Sequence, residues 1–178
     1  VIHSFAWPDE EGNILHYDNM LSQSISNTVH DNGAKILLCF GGGGQSWGFP
    51  ASTSTPELRE IFIDNIINIC ETYNYDGIDI DWEQPFSVTE KNNLTTFIAE
   101  LRQAFNDLYP DWIISMAVPV SNWSGQYYDF NQLKESVDFF NAMTYDIHGS
   151  WTDHAGHNSP LYQSPPGDPD GSVNTGIN

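Results

Sequence analysis

The segment "YDGIDIDWEQP" sets Asp79, Asp81 and Glu83 at every second position, with Ile78, Ile80 and Trp82 between them. A strand sends alternate side chains to opposite faces, so this spacing gathers three carboxylates on one face and three apolar groups on the other. Carboxylates held side by side cannot all ionise at low cost, and burial adds to the penalty, so at least one keeps its proton near neutral pH. A retained proton is what a general acid needs. Glu83 stands at the carboxyl end of the strand, where parallel barrels build active sites, and is the group placed to reach a substrate. Asp81, two residues deeper, then shares a proton with Glu83 or orients it, and Asp79 supports Asp81. Asp76 is assigned to anchoring the start of the strand. A solvated acidic strand is the bland alternative, although perturbed carboxylates gather at active sites. A calcium loop fits poorly, because the sixth position counted from Asp76 is Asp81 and not Gly.

These acids need a sheet to hold them. Short apolar, β-branched or aromatic runs alternate with longer stretches of helical period, which predicts α/β class with βα units around a parallel sheet. Five strands are expected, over 1–7, 35–40, 77–82, 112–118 and 139–145. A helix is expected after Thr55, with Pro56 at its first position and Leu58, Phe62, Ile66 and Ile69 on one face. A second begins at a capping box, Ser87 with Glu90, carries Leu94, Phe97, Ile98, Leu101 and Phe105, and ends before Pro110. A weaker helix is expected over "FNQLKESV", and everything beyond Ser150 reads as a long loop, with "PGDPDGS" as a pair of turns.

The 178 residues carry five Lys+Arg against 24 Asp+Glu, a formal net charge of −19. Such a charge repels nucleic-acid phosphates and anionic membrane surfaces, so a neutral or cationic partner is expected, with no nucleic acid and no membrane. No apolar run is long enough to span a bilayer, and Val1 opens without a Met or a signal pattern, which reads as a cut. Cys39 and Cys70 lie in apolar contexts and read as core thiols, with a disulfide as the other reading. The run Gly41–Gly44 lacks the Lys-Ser/Thr ending of a phosphate-binding loop, and His154 and His157 lack the Glu of a metalloprotease helix. No metal or organic cofactor is implied. Asn93-Leu94-Thr95 and Asn122-Trp123-Ser124 are glycosylation-type triplets of little weight.

Asp76, Asp79, Asp81 and Glu83 spell D-x-x-D-x-D-x-E, which resembles the signature of glycoside hydrolase family 18. The order of other segments agrees: "SFAW" resembles the family's second barrel strand, "LLCFGG" its third, "SMAVP" its fifth, and "MTYDIHGSW" with "GHNSPLY" its sixth and the loop after it. The resemblance implies a TIM (β/α)8 barrel, here strands two to six over residues 1–178, with the first strand and the last two absent. Such an open barrel would present unpaired edges, so little activity is expected of the isolated piece.

The resemblance also implies a chemistry. This family is a substrate-assisted exception to the two-carboxylate scheme. The N-acetyl oxygen of the sugar attacks the anomeric carbon while Glu83 protonates the leaving oxygen, and Asp81 holds the acetamido N–H and offsets the charge of the intermediate. By the same resemblance Tyr145 hydrogen-bonds the acetamido oxygen, and Met143, Asp146, Phe5 and Ala117 border the sugar. Read without the family, Met143 and Tyr145 also fit as a core Met and a half-buried Tyr. Trp151 fits either a sugar platform or packing on the rim. Trp47 is the candidate for an aromatic residue that many members carry directly after S-x-G-G, a position taken here by glycines, which make the loop entropically loose. The expectation is an extracellular, endochitinase-like hydrolase of β-1,4-linked N-acetylglucosamine polymers that retains configuration. A chitin-binding lectin on the same barrel and an endo-β-N-acetylglucosaminidase acting on glycoproteins are the alternatives.

Overall fold

The computed structural model describes residues 1–163 and 171–177. Strand β1 (Ile2–Pro8) turns back into β2 (Ile14–His16), and helix α1 (Gln23–Asp31) leads to β3 (Leu37–Gly41). A short α2 (Phe49–Ser52) precedes α3 (Pro56–Tyr73), β4 (Gly77–Asp81), α4 (Val88–Leu108) and β5 (Ile113–Pro119). Two single turns, α5 (Asn122–Gly125) and α6 (Phe130–Leu133), lie before β6 (Phe139–Met143), and α7 (Val173–Ile177) ends the described chain. The sheet runs β2-β1-β3-β4-β5-β6, parallel throughout except for the β1–β2 hairpin.

The helices form where the sequence caps them. Thr55 Oγ1 accepts the Leu58 N–H at 3.3 Å and Ser87 Oγ accepts the Glu90 N–H at 3.1 Å, satisfying donors that the helix leaves unpaired. The reciprocal half of the capping box is displaced by one residue, since Glu90 Oε2 accepts the N–H of Phe86 and not of Ser87. The apolar faces of α3 and α4 meet one face of the sheet. Phe62, Ile66, Leu94, Phe97, Leu101 and Phe105 are fully buried with Leu38, Phe40, Ile78, Ile80, Ile114 and Met116. Phe62 stacks on Phe97 at 5.0 Å, and Trp82 on Phe49 at 5.1 Å.

Several expectations need correction. The sheet has a sixth strand, β2, and α1 was not foreseen. The last strand stops at Met143, so Tyr145 and Asp146 stand in the loop beyond it; Asp146 has φ 56°, outside extended geometry. The helix expected over "FNQLKESV" is the single turn of α6, and the tail includes the turn of α7. The turns expected in "PGDPDGS" fall mostly outside the described residues. Both cysteines are free and buried, which settles the two readings in favour of core thiols.

Candidate active site

Four strands place one polar side chain each on the face of the sheet away from α3 and α4. Asp79 is 2% exposed, and its register partners are Cys39 on β3 and Ser115 on β5. Ser115 Oγ donates to Asp79 Oδ1 at 2.5 Å, Asn141 Nδ2 from β6 donates to the same oxygen at 3.0 Å, and Cys39 Sγ donates to Oδ2 at 3.2 Å. Three donors onto one carboxylate hold its orientation. Asp81, the next residue up on the same face, lacks this support. It is 8% exposed, and its Oδ1 is buried without a hydrogen-bond partner among the described residues. Burial, then the charges of Glu83 and Asp79, push Asp81 up to about 7.

Glu83 is exposed at the rim, just past the end of β4. Burial of part of its side chain and the nearby Asp146 raise it above the usual carboxylate range. The pressure to retain a proton thus falls on both rim acids and is stronger on Asp81, because Asp81 is deeper and flanked by acids on two sides. Tyr145 is also raised, by burial first and then by Asp81, Glu83, Asp146 and Asp79, which places its phenol in the field of the carboxylates.

The backbone of the rim is held by the glycine loop. Gly42 N–H donates to the Asp81 carbonyl at 2.8 Å, and Ser46 Oγ donates to the same carbonyl at 3.2 Å while accepting the Glu83 N–H at 2.9 Å. This corrects the expectation of a loose loop. Gly41 has φ 112°, and a Cβ there would lie 2.2 Å from the Asp81 carbonyl oxygen. A Cβ on Gly42 would meet the Phe5 ring at 2.8 Å. Gly41 thus serves a close approach of β3 to β4, and Gly42 one of the loop to Phe5 on β1. On the other side Tyr128, 3% exposed, donates its hydroxyl to the Trp82 carbonyl at 2.7 Å. The peptide bonds Ser4–Phe5 and Glu83–Gln84 are cis.

A cavity of about 600 Å³ opens beside Glu83 and is lined by Gln84, Met143, Tyr145, Asp146 and Trp123 among others. Asn158 Nδ2 donates to Asp146 Oδ1 at 2.7 Å, so the loop after β6 fixes that carboxylate. Trp47, Trp151, Phe5 and Ala117 do not line this cavity. Trp47 and Trp151 are exposed, and the Trp151 ring lies over Gly149, 2.3 Å from where a Cβ would stand. Asp76 anchors the start of β4 as expected: its Oδ2 accepts the Ile36 N–H and meets His30 Nε2, both at 2.8 Å. Ser115, Asn141, Ser46 and Trp123 were missed by the sequence reading. Alternation within β5 and β6 carried a signal for Ser115 and Asn141, polar residues within apolar strands, whereas nothing local marked Ser46 or Trp123.

Acids that climb one strand toward the carboxyl rim of parallel neighbours occupy the face where parallel α/β barrels build their active sites. Residues 1–178 match the family model for Glycosyl hydrolases family 18, and the chain belongs to that family. It is 32% identical over 175 residues to "Probable chitinase 10" of Drosophila melanogaster, covering 92% of this chain and 7% of that protein. The Group IV chitinase of Ostrinia furnacalis superposes with a TM-score of 0.91 at 26% identity, covering 99% of this chain and 52% of that one. A mutant of catalytic domain 2 of the Group II chitinase of the same insect, in complex with (NAG)5, superposes with a TM-score of 0.90 at 28% identity, covering 99% and 50%. The chain spans about half the length of these solved chitinases, and the fold is that of part of a TIM barrel.

Proposed function

We propose that residues 1–178 are the central part, strands two to six, of the catalytic barrel of a secreted chitinase that hydrolyses β-1,4-linked N-acetylglucosamine polymers. Glu83 protonates the leaving oxygen. The N-acetyl oxygen of the substrate attacks the anomeric carbon, and Asp81 holds the acetamido N–H and offsets the developing positive charge. Tyr145 hydrogen-bonds the acetamido oxygen, with Met143 and Asp146 on the same wall. Asp79, held by its three donors, keeps Asp81 in place. Water then displaces the acetamido oxygen in a second inversion, so configuration is retained.

The observation that carries this reading is the pairing of Asp81 and Glu83. Both are raised above the usual carboxylate range, and Glu83 shares one cavity with Tyr145, Met143 and Asp146. That arrangement supplies a proton donor and a charge stabiliser without a second carboxylate across the scissile bond. The names of the relatives support the same substrate class.

The test is hydrolysis of N-acetylglucosamine oligomers by the full-length protein and its Glu83→Gln variant, with products separated by size. Loss of at least ~10²-fold in rate is expected, the lower end for losing a general acid. Oligomers of glucosamine without the N-acetyl group should survive intact, and their cleavage at a comparable rate would refute the substrate-assisted step. Binding without cutting by the unsubstituted protein would point instead to a lectin.

A further inference from the structure

We infer that Tyr128 is a positioning residue for the general acid: its hydroxyl, donated to the Trp82 carbonyl, fixes the peptide unit from which Glu83 reaches the leaving oxygen. The inference rests on the proposed chitinase reading and adds to it a residue outside the substrate cavity on which proton delivery depends.

Strand β4 leaves its sheet partners just before the acid. Its pairing with β5 ends at Ile80–Met116 and its pairing with β3 at Asp81–Gly41, so the peptide unit joining Trp82 to Glu83 stands past both ladders. Buried backbone groups in such a place need partners from elsewhere. Here the unit is gripped on both sides. Its N–H donates to Ser46 Oγ at 2.9 Å, from the loop after β3, and its carbonyl accepts the Tyr128 hydroxyl at 2.7 Å, from the loop after β5. With both contacts in place the unit cannot rotate about its flanking bonds, and the Glu83 side chain starts from a fixed point. The Trp82 ring, stacked on Phe49, adds a third restraint.

Tyr128 is itself well anchored. It is buried, its ring stacks on Phe130 at 5.8 Å, and Phe130 meets Phe140 of β6 edge to face at 5.6 Å. Its N–H donates to the Gly125 carbonyl at 3.1 Å, and the next residue, Asp129, caps α6. Burial, then the charges of Asp81 and Glu83, push its phenol above the ordinary range, so the hydroxyl remains a donor while the carboxylates titrate. Tyr128 does not line the Glu83 cavity, so its influence on a bound sugar passes through the peptide it holds. General acid catalysis is sensitive to such support, because the acid must stand within hydrogen-bonding reach of the oxygen it protonates.

The experiment measures kcat/KM of the full-length protein on two substrates. One is the N-acetylglucosamine pentamer, whose leaving sugar must be protonated. The other is the dinitrophenyl glycoside of the N-acetylglucosamine disaccharide, whose leaving phenolate departs without a proton. Tyr128→Phe keeps the ring and removes the hydroxyl. It should lower kcat/KM about tenfold on the pentamer, a part of the ~10²-fold that a misplacement of about 1 Å costs. On the dinitrophenyl substrate the change should stay within about twofold, because no acid is needed there. The ratio of the two values does not depend on how much of the variant is folded, so partial unfolding cannot imitate the selective loss. Glu83→Gln should show the same selectivity, and adding Tyr128→Phe to it should cost nothing further on the pentamer. Equal losses on both substrates in Tyr128→Phe, or no loss on the pentamer, would overturn the positioning role and leave the chitinase reading standing. Failure of the unsubstituted protein to cut either substrate would overturn that reading and the inference with it.

Discussion

Replacing Asp81 by Asn tests the electrostatics of the site through stability. Asp81 rises from 3.8 to about 7 on folding, through burial and the charges of Glu83 and Asp79. Because the folded state holds the proton more tightly, it binds more protons than the unfolded chain between those values. Stability therefore falls as pH rises through that window. Three units correspond to about 4 kcal/mol at 1.36 kcal/mol per unit. Solvent contact at the open rim and movement of Glu83 reduce this to an expected ~2 kcal/mol. Asn keeps the shape and carries no charge, so it removes the penalty. In urea unfolding of the full-length protein, Asp81→Asn should match the parent near pH 4 and be about 2 kcal/mol more stable near pH 8. The gain should shrink when Glu83→Gln is already present, because the Glu83 charge is part of what raises Asp81. A difference that stays flat from pH 4 to 8, or a parent that gains on the Asn variant as pH rises, would refute the account.

Other substitutions probe the scaffold. Ser46→Ala removes a hydroxyl that joins the glycine loop to the Asp81 carbonyl and the Glu83 N–H. It should cost about 1 kcal/mol in unfolding experiments, with kcat falling more than KM changes. Gly41→Ala meets both a φ of 112° and a carbonyl 2.2 Å away, whereas Gly44→Ala meets a φ of 87° and open space. The first should lose more than about 2 kcal/mol and the second about 1 kcal/mol by urea unfolding, and equal losses would contradict the close approach. Asp76→Ala leaves the Ile36 N–H and His30 without their acceptor. It should lower stability by about 1–3 kcal/mol while the protein that remains folded keeps its kcat.

The elements that could be read in advance are those whose burial follows a period. Ile78, Ile80 and Trp82 alternate with acids and are all buried, and α3 and α4 bury Phe62, Ile66, Leu94 and Phe97 at helical spacing. Helix α1 escaped because its stripe is short: Ile25 and Val29, four residues apart, are only partly buried against the core. Its only fully buried residue is Ser26, and Ser, Asn and Thr lend it little intrinsic preference. Strand β2 is three residues long and is held by a turn in which Asp9 Oδ1 accepts the N–H groups of Glu11 and Asn13. Three residues are too few for alternation to register.

From sequence alone came the family resemblance, the α/β class and the gathering of Asp79, Asp81 and Glu83 on one face, because side-chain direction along a strand is a local property. The tertiary structure decided how those acids differ. Asp79 receives Cys39, Ser115 and Asn141 from three other strands, while Asp81 is buried with an oxygen left unpaired among the described residues. It also decided that Tyr145 and Asp146 face Glu83 from beyond the end of β6, and that Trp123 shares their cavity. These outcomes depend on which neighbours the parallel sheet brings within hydrogen-bonding distance. Desolvation and charge act through space, and a group that exerts them can lie far along the chain, as Asp146 lies 63 residues beyond Glu83.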